Sequence, residues 1–441
     1  MVTALPPGPS STILSTWHVG LHPFTFYKDC LEQYGDPFTI TAFNGTVVCT
    51  GKPEGARQVF EADPDTFLPF GVEAAAPIIG EDSIFMLSGE RHRRERKLLA
   101  PPFHGRRMKA YAGEMQAAAL RRVASWQPGQ RLSLQKELQH IALEIILRAV
   151  FGAREGDDLE RYEKTVREAI DAVSPSFLFF KFLQHEFGGL SPWARFKKTS
   201  DALKALLAET ITRRRAGDGA GEDILSLLVQ ATYDDGSSMT DTQIISEMIT
   251  LMSAGHETTG VSMSWAFDHL CRDPDQLRRL QEELDALGPD PAPDTYEGRL
   301  PFLNAVIQET LRLHPVLSDV IRLLDRPFDL LGHTLPAGVA IAVVPWLTHR
   351  DPSIFEEPDA FKPERFIDRT WSPYEYIPFG GPPRRCIGSA FAQTEMRIVL
   401  GTLFSRCRFT LVDDEPAEPK RLNAVMGPES GIPVIYEGPR A

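Results

Sequence analysis

The sequence predicts a mainly α fold with a smaller β portion, and three observations carry that expectation. From about residue 105 to 285, apolar residues recur at three- and four-residue spacing, the signature of one buried helix face. One such run continues from Thr240 to Arg272. At 1.5 Å per residue it makes a helix roughly 48 Å long, enough to cross a large domain with its middle buried. The β portion is expected at approximately 1–60 and 318–345, where short apolar runs alternate with Gly and Pro, as in FTITAFNGTVVCTG and FDLLGHTLPAGVAIAVV. No repeat or low-complexity linker divides the 441 residues, so a single domain over 1–441 is expected.

Local signals justify the elements in order. Asn44-Gly45 reads as a hairpin turn between two strands. LQHIALEIILRAVFG has helical periodicity and stops at Gly152. RRRAGDGAGED reads as a loop; its spaced glycines follow no strand, so they make a weak nucleotide-binding signal. Thr240 and Gln243 have the spacing of a capping box at the start of the long helix. Asp273-Pro274 stops that helix and opens the next. A Pro-rich stretch, 351–385, leads to Cys386.

Bulk properties exclude several functions. A net charge of −13 argues against general nucleic-acid binding. Five cysteines with no CxxC pair fit neither a zinc site nor a disulfide framework, and suit a reducing cytoplasm. The opening MVTALPPGPSSTILSTWHVG is too polar and too rich in proline for a signal peptide or membrane anchor, so a soluble cytoplasmic protein is expected.

Four short stretches hold candidate chemistry. AGHETT, at the middle of the long helix, places Gly255, Glu257 and Thr258 where a stable buried helix would carry apolar residues. Thr258 can bond back to the carbonyl of Ala254 and loosen the turn, making room for a small ligand or water. An acid beside a hydroxyl can relay protons. His256-Glu257 opens HExxH, but Gly260 stands where the second zinc ligand belongs. Glu309 and Arg312 lie one turn apart in IQETLRLHP. The same spacing recurs at four other places, and only the apolar surroundings single this pair out for burial, with Arg365 in FKPERF as a third partner. His92 and Arg96 share a face of the basic stretch GERHRRERKLLAPPF and would bind an anion. Last, FGGPPRRCIGSAF sets one thiol among glycines, prolines and arginines just ahead of an apolar helix.

Taken in order along the chain, these stretches resemble the cytochrome P-450 family of haem-thiolate monooxygenases. The resemblance implies a haem b (iron protoporphyrin IX) between the long helix and the cysteine loop, with Cys386 as the iron ligand. It implies that Phe379 packs near the sulfur, that Gly388 starts the following helix, and that His92, Arg96, Arg322 and Arg384 meet the propionates. A thiolate ligand pushes electron density towards O–O cleavage. Glu257 and Thr258 are then the proton-delivering pair. Glu309, Arg312 and Arg365 are structural. Pro382 departs from the glycine usual in the loop, and His92 stands where many members have tryptophan.

The implied reaction inserts one atom of O₂ into a C–H bond. Nothing resembles a fused flavin or iron–sulfur domain, so the resemblance implies a ferredoxin-type donor docking on a proximal face made basic by Arg93, Arg94, Lys97 and Arg385. The implied pocket walls include Phe70, Phe85, SPSFLFFKFL, Ser253, Ala254, Leu317, Val320 and Met426. They are apolar, which points to a terpenoid, steroid or fatty-acid-like substrate. A peroxide-using or isomerising haem-thiolate enzyme and a haem sensor are the competing readings. Neither needs the acid–alcohol pair that this chain keeps.

Overall fold

The computed structural model describes residues 4–103, 105–152, 157–174, 176–217, 221, 223–288 and 291–440. Part of the glycine-rich loop, Asp218–Ala220 and Glu222, lies outside them, as do Pro175 and the side chains of Leu178 and Phe179 in SPSFLFFKFL. Contacts between Cα atoms group the chain into two compact units, each assembled from three segments. One comprises 1–102, 146–254 and 319–344; the other comprises 103–145, 255–318 and 345–441.

The first unit is built on a five-stranded sheet. Phe38–Ala42 pairs antiparallel with Gly45–Thr50, which runs parallel to Ala340–Val343. That strand is antiparallel to Val320–Leu324, which pairs with Phe67–Leu68. Phe38, Val48, Cys49 and the whole of Ala340–Val343 are buried, as expected of strands covered on both faces. The first hairpin differs from the sequence reading by one residue. Ala42 pairs with Gly45, so Phe43 and Asn44 form the turn and Gly45 opens the second strand.

Helix ends follow their local signals. The helix Leu134–Phe151 stops at Gly152, which has φ +59° and donates its N–H to the Arg148 carbonyl at 2.9 Å. The arginines of RRRAGDGAGED extend the helix Pro192–Arg215 instead of forming a loop, because apolar periodicity carries through Ile211. The long helix spans Asp241–Arg272, 32 residues. Its capping box forms: the Gln243 N–H donates to Thr240 Oγ1 at 3.2 Å, and the Thr240 N–H donates to Gln243 Oε1 at 2.8 Å. Asp273 caps the next helix, Pro274–Asp285, accepting from the N–H groups of Asp275 and Gln276 at 3.0 Å each.

In the second unit the helix Ser389–Arg406 is buried along most of its length and packs on Arg106–Ala124 and Pro301–Leu313. A three-stranded antiparallel sheet places Pro433–Pro439 between Gln130–Ser133 and Cys407–Leu411. A hairpin, Pro419–Arg421 with Met426–Pro428, hangs by the Met426 N–H on the Val316 carbonyl at 2.8 Å. These C-terminal strands lie outside the two β-rich stretches expected from sequence. They are three to seven residues long; the two longer ones, Cys407–Leu411 and Pro433–Pro439, alternate in burial, a signal the sequence reading passed over.

Gly260, on the long helix, is fixed by close packing. A Cβ there would stand 2.9 Å from the Gln139 Cα and 3.0 Å from its N, both backbone atoms that cannot rotate away. Gly260→Ala is expected to lower stability by about 1–3 kcal/mol in thermal or urea unfolding. Gly20→Ala is expected to be neutral or stabilising, because Gly20 is helical with open space at its Cβ.

Candidate functional site

In the first unit, the helix Gly89–Leu99 buries His92, Glu95 and Leu99 along one stripe, with Arg96 half-buried beside them. Glu95 holds this helix in place. Its Oε1 accepts the Tyr233 hydroxyl at 2.6 Å and the Gln243 amide at 3.2 Å. The Arg94 guanidinium covers the Tyr233 ring, 3.7 Å from its centroid. The sequence reading missed Glu95, since one acid among so many bases looks like a surface counter-charge.

The basic face expected from this helix is largely neutralised. Arg93 bonds Glu90 at 3.0 Å and Asp65 at 3.2 Å, Arg94 bonds Asp235 at 2.9 Å, and Lys97 bonds Asp234 at 2.8 Å. These exposed pairs contribute little stability but remove net positive potential. Arg385, the fourth member of the expected basic set, is exposed on the cysteine loop. Arg322 is buried in the strand Val320–Leu324 opposite Ile341. Val320 and Phe70 are half-buried, and Phe85 is exposed.

The long helix is buried from Glu247 to Met252 and again from Thr259 to Leu270 apart from His269. Between them accessibility returns: Ser253 is exposed, and Ala254, Gly255, Glu257 and Thr258 are partly so. Two acids on this helix differ in environment. Glu247 has no exposed surface; burial first, then the charges of Glu95 and Asp82, push its carboxyl up to about 8, with the Ile84 amide offsetting part. Glu257 is also raised by burial, but the Asn423 amide donates to its Oε1 at 3.0 Å and favours the ionised form. Asn423 sits in the turn of the hairpin 419–428, where sequence marked only a pocket wall. Met426, expected in that wall, is buried at 2% exposure in the following strand, whereas Leu317 is exposed.

Glu309 and Arg312 show no exposed side-chain surface and pair in a two-bond fork, Nε to Oε2 at 2.7 Å and Nη2 to Oε1 at 2.8 Å. The other Arg312 donors reach the carbonyls of His349 and Pro358, each at 2.7 Å, and of Ala360 at 3.1 Å. All five N–H groups are therefore met. Glu309 Oε1 also accepts the Lys362 N–H at 2.8 Å and Arg365 Nε at 3.2 Å.

His349 extends the network. Its Nε2 accepts the Ile377 N–H at 2.9 Å, so its proton is on Nδ1, 3.1 Å from the Arg312 carbonyl. Burial, helped by the charge of Arg312, lowers its pKa to about 3 and keeps the ring neutral. The Tyr376 hydroxyl donates to the Gln308 carbonyl at 3.0 Å. His349 and the Pro-rich stretch at 358, 360, 362, 365 and 376 are thus tied to the helix Pro301–Leu313, and Ile377 is tied to His349, leading into Phe379.

The cysteine loop closes on itself. The Cys386 N–H donates to the Phe379 carbonyl at 3.0 Å, and Gly380 turns the chain at φ +64°. Three residues after the thiol, the helix Ser389–Arg406 begins with Gly388 as its cap, so the positive end of the helix follows the sulfur closely. Cys386 is the one exposed cysteine of the five. The others are buried or half-buried with thiols pushed up by burial, Cys30 to about 11, Cys271 and Cys407 to about 12, and Cys49 well above the ordinary thiol value. An accessible thiol in a fixed loop at a helix N-terminus has the chemistry of a thiolate ligand for a haem iron, and these residues fit that cofactor.

Comparison with known proteins agrees. Residues 6–435 match the cytochrome P-450 family, and the chain belongs to that family. Cytochrome P-450 138 of Mycobacterium tuberculosis is 36% identical over 385 residues, covering 86% of this chain and 84% of that protein. Cytochrome P-450 135B1 of the same organism is 32% identical over 451 residues, covering 99% and 92%. Neither name states a reaction. Retinoic acid bound cyanobacterial CYP120A1 superposes with a TM-score of 0.86 at 23% identity, over 99% of this chain and 100% of that one. The cytochrome P-450DA heme domain gives 0.87 at 23%, over 100% and 99%. These two show the fold. Family membership supports haem-thiolate monooxygenase chemistry in general.

Two outcomes follow from the buried charges. Arg312→Ala leaves Glu309 buried without its main partner and is expected to cost about 3–5 kcal/mol, seen as loss of folded, haem-loaded protein on expression. Glu247→Gln is expected to stabilise progressively with pH. The folded carboxyl titrates near 8 and the unfolded one near 4.5, so the folded state holds the extra proton between them. Wild-type stability therefore falls as pH rises through that window, and the glutamine variant escapes the fall. Urea unfolding of both proteins at pH 5 and pH 8 should show the difference widening by a few kcal/mol at most.

Proposed function

We propose that the protein is a haem-thiolate monooxygenase that hydroxylates a lipophilic small molecule, such as a terpenoid, steroid or fatty acid, using O₂ and electrons from a separate ferredoxin-type carrier. The overall balance is R–H + O₂ + 2 e⁻ + 2 H⁺ → R–OH + H₂O. Bound haem iron supplies the oxygen activation, with Cys386 as its thiolate ligand. His92, Arg96, Arg322 and Arg384 would hold the propionates.

The observation that carries this reading is the return of accessibility at Ser253, Ala254, Gly255, Glu257 and Thr258 between two buried stretches of the helix. Two protons must enter for each turnover, and Glu257 and Thr258 would move them. Burial lifts the Glu257 carboxyl, which brings its titration nearer to neutral pH than that of a surface acid, and so favours both taking and giving a proton. The Thr258 hydroxyl can accept a hydrogen bond and donate one. Asn423 holds one Glu257 oxygen and leaves the other for the relay. Ser253, Ala254, Leu317, Val320, Phe70 and Phe85 retain accessible surface and suit an apolar substrate; buried Met426 would act by packing. A lipophilic panel screened for substrate-induced shifts of the haem band tests the substrate class.

Thr258→Ala and Glu257→Gln are expected to consume NAD(P)H through the redox chain while product per electron pair falls severalfold. Full coupling in both variants would contradict the relay. Asn423→Leu removes the hydrogen bond that favours the Glu257 carboxylate, so the acidic limb of the coupling profile should move to higher pH. An unmoved profile would show that Asn423 plays no part in holding the relay acid.

A further inference from the structure

Glu247 is not among the groups proposed to move protons, yet it is the most completely enclosed acid of the long helix. No side chain bonds either of its carboxylate oxygens. Three other elements of the first unit surround it. Segment 80–87 lies on the long helix beside it. The Ile84 amide faces the Glu247 carboxyl, and the hydroxyls of Ser83 and Thr250 meet at 2.7 Å. A Cβ on Gly80 would stand 2.3 Å from Ser246 Oγ, so the backbone itself rests on the helix there. Ser83, Ile84 and Leu87 are buried, while Phe85 between them is exposed. The helix Gly89–Leu99 brings Glu95, and the turn closed by Thr232 and Ser238 brings Tyr233, whose hydroxyl donates to Glu95 at 2.6 Å.

The charges around this carboxyl oppose its ionisation. Asp82, on the segment, and Glu95 both act on it, and both are acids. Arg91 and Arg94, which favour the ionised form of Glu95, are bonded outward, Arg91 to Asp82 at 3.1 Å and Arg94 to Asp235 at 2.9 Å. An ionised Glu247 would therefore sit in a dry contact, facing two like charges, with one peptide N–H to meet it. The contact can escape that cost without unfolding the protein. Segment 80–87 has no helix or strand of its own. Lifting it from Ser246, Glu247 and Thr250 would admit water to the carboxyl, and such short irregular segments open more readily than strands or long helices.

We propose that Glu247 is a proton-held latch: its neutral carboxyl keeps segment 80–87 seated on the long helix, and its ionisation releases the segment. Phe85, assigned above to the substrate site, rides on that segment, so the latch ties one wall of the site to pH. Only that last consequence rests on the hydroxylation reading; the latch itself needs no turnover and can fail while that reading stands. The seated carboxyl titrates near 8 and the released one near 4.5, so the seated form holds the extra proton between them. Release is therefore least below that window, rises by up to about tenfold per pH unit through it, and levels off above it.

Hydrogen–deuterium exchange of full-length, haem-loaded protein across that window and above it, corrected for the intrinsic pH dependence of amide exchange, reads the release directly. Amides of 84–87 should lose protection severalfold per pH unit up to about pH 8 and no further, while those of the strand Ala340–Val343 in the same unit stay protected. Glu247→Gln cannot ionise and should hold the segment with a flat profile. Glu247→Leu, equally unable to ionise, serves if the glutamine variant folds poorly. Flat wild-type protection across the range, or the wild-type slope retained in the variant, would overturn the proposal. So would a loss shared equally by Ala340–Val343, which would mark unfolding of the whole unit and not release of one segment.

Discussion

A guanidinium with no exposed surface must have all of its N–H groups met by protein, and Arg312 is such a group. Its fork on Glu309 fixes the side chain, and its remaining donors take three carbonyls from the stretch 349–360. None of those carbonyls belongs to a regular strand or long helix. The Pro-rich stretch has little secondary structure of its own, and this buried charge supplies the geometry that helices and sheets supply elsewhere. His349 and Tyr376 continue the fastening to within a few residues of the cysteine loop. The network thus fixes the chain to within a few residues of the loop that carries the thiol.

The same physics divides the cysteines and the acids by role. Four thiols are packed away and held protonated, while Cys386 alone is presented on a closed loop at a helix start. Of the two acids considered on the long helix, Glu247 is sealed in and held neutral, whereas Glu257 keeps partial access and a partner that favours its charge. Full burial silences a group, whereas partial burial with a hydrogen-bond partner, at the edge of accessible space, makes it responsive. Gly260 adds a mechanical counterpart, letting the long helix approach Gln139 just past the accessible turn.

Much of this was legible in the sequence because it rests on local signals. The long helix could be read from its cap at Thr240 and its stop at Asp273, and the shared helix face of Glu309 and Arg312 from their spacing. Arg365 followed from the need of a buried pair for a third partner. What escaped depends on distant partners. Glu95 looks like a surface acid until Tyr233 and Gln243 are seen on it, and Asn423 like a turn residue until Glu257 is. The basic face dissolved for the same reason: Asp65, Asp234 and Asp235, which meet Arg93, Arg94 and Lys97, come from remote segments. Of the C-terminal strands, Pro419–Arg421 and Met426–Pro428 were hidden by shortness, since three residues cannot display a period of two, whereas the alternation of Cys407–Leu411 was legible and was passed over.

Most directly at stake is the sulfur of Cys386 as the ligand of a haem iron. The deciding measurement is the carbon monoxide difference spectrum of the reduced protein, recorded for wild type and Cys386→Ser. Wild-type protein should show the red-shifted Soret band of a thiolate-ligated haem, and the serine variant should lack it. A wild-type protein that binds no haem, or a serine variant that retains the band, would contradict the account.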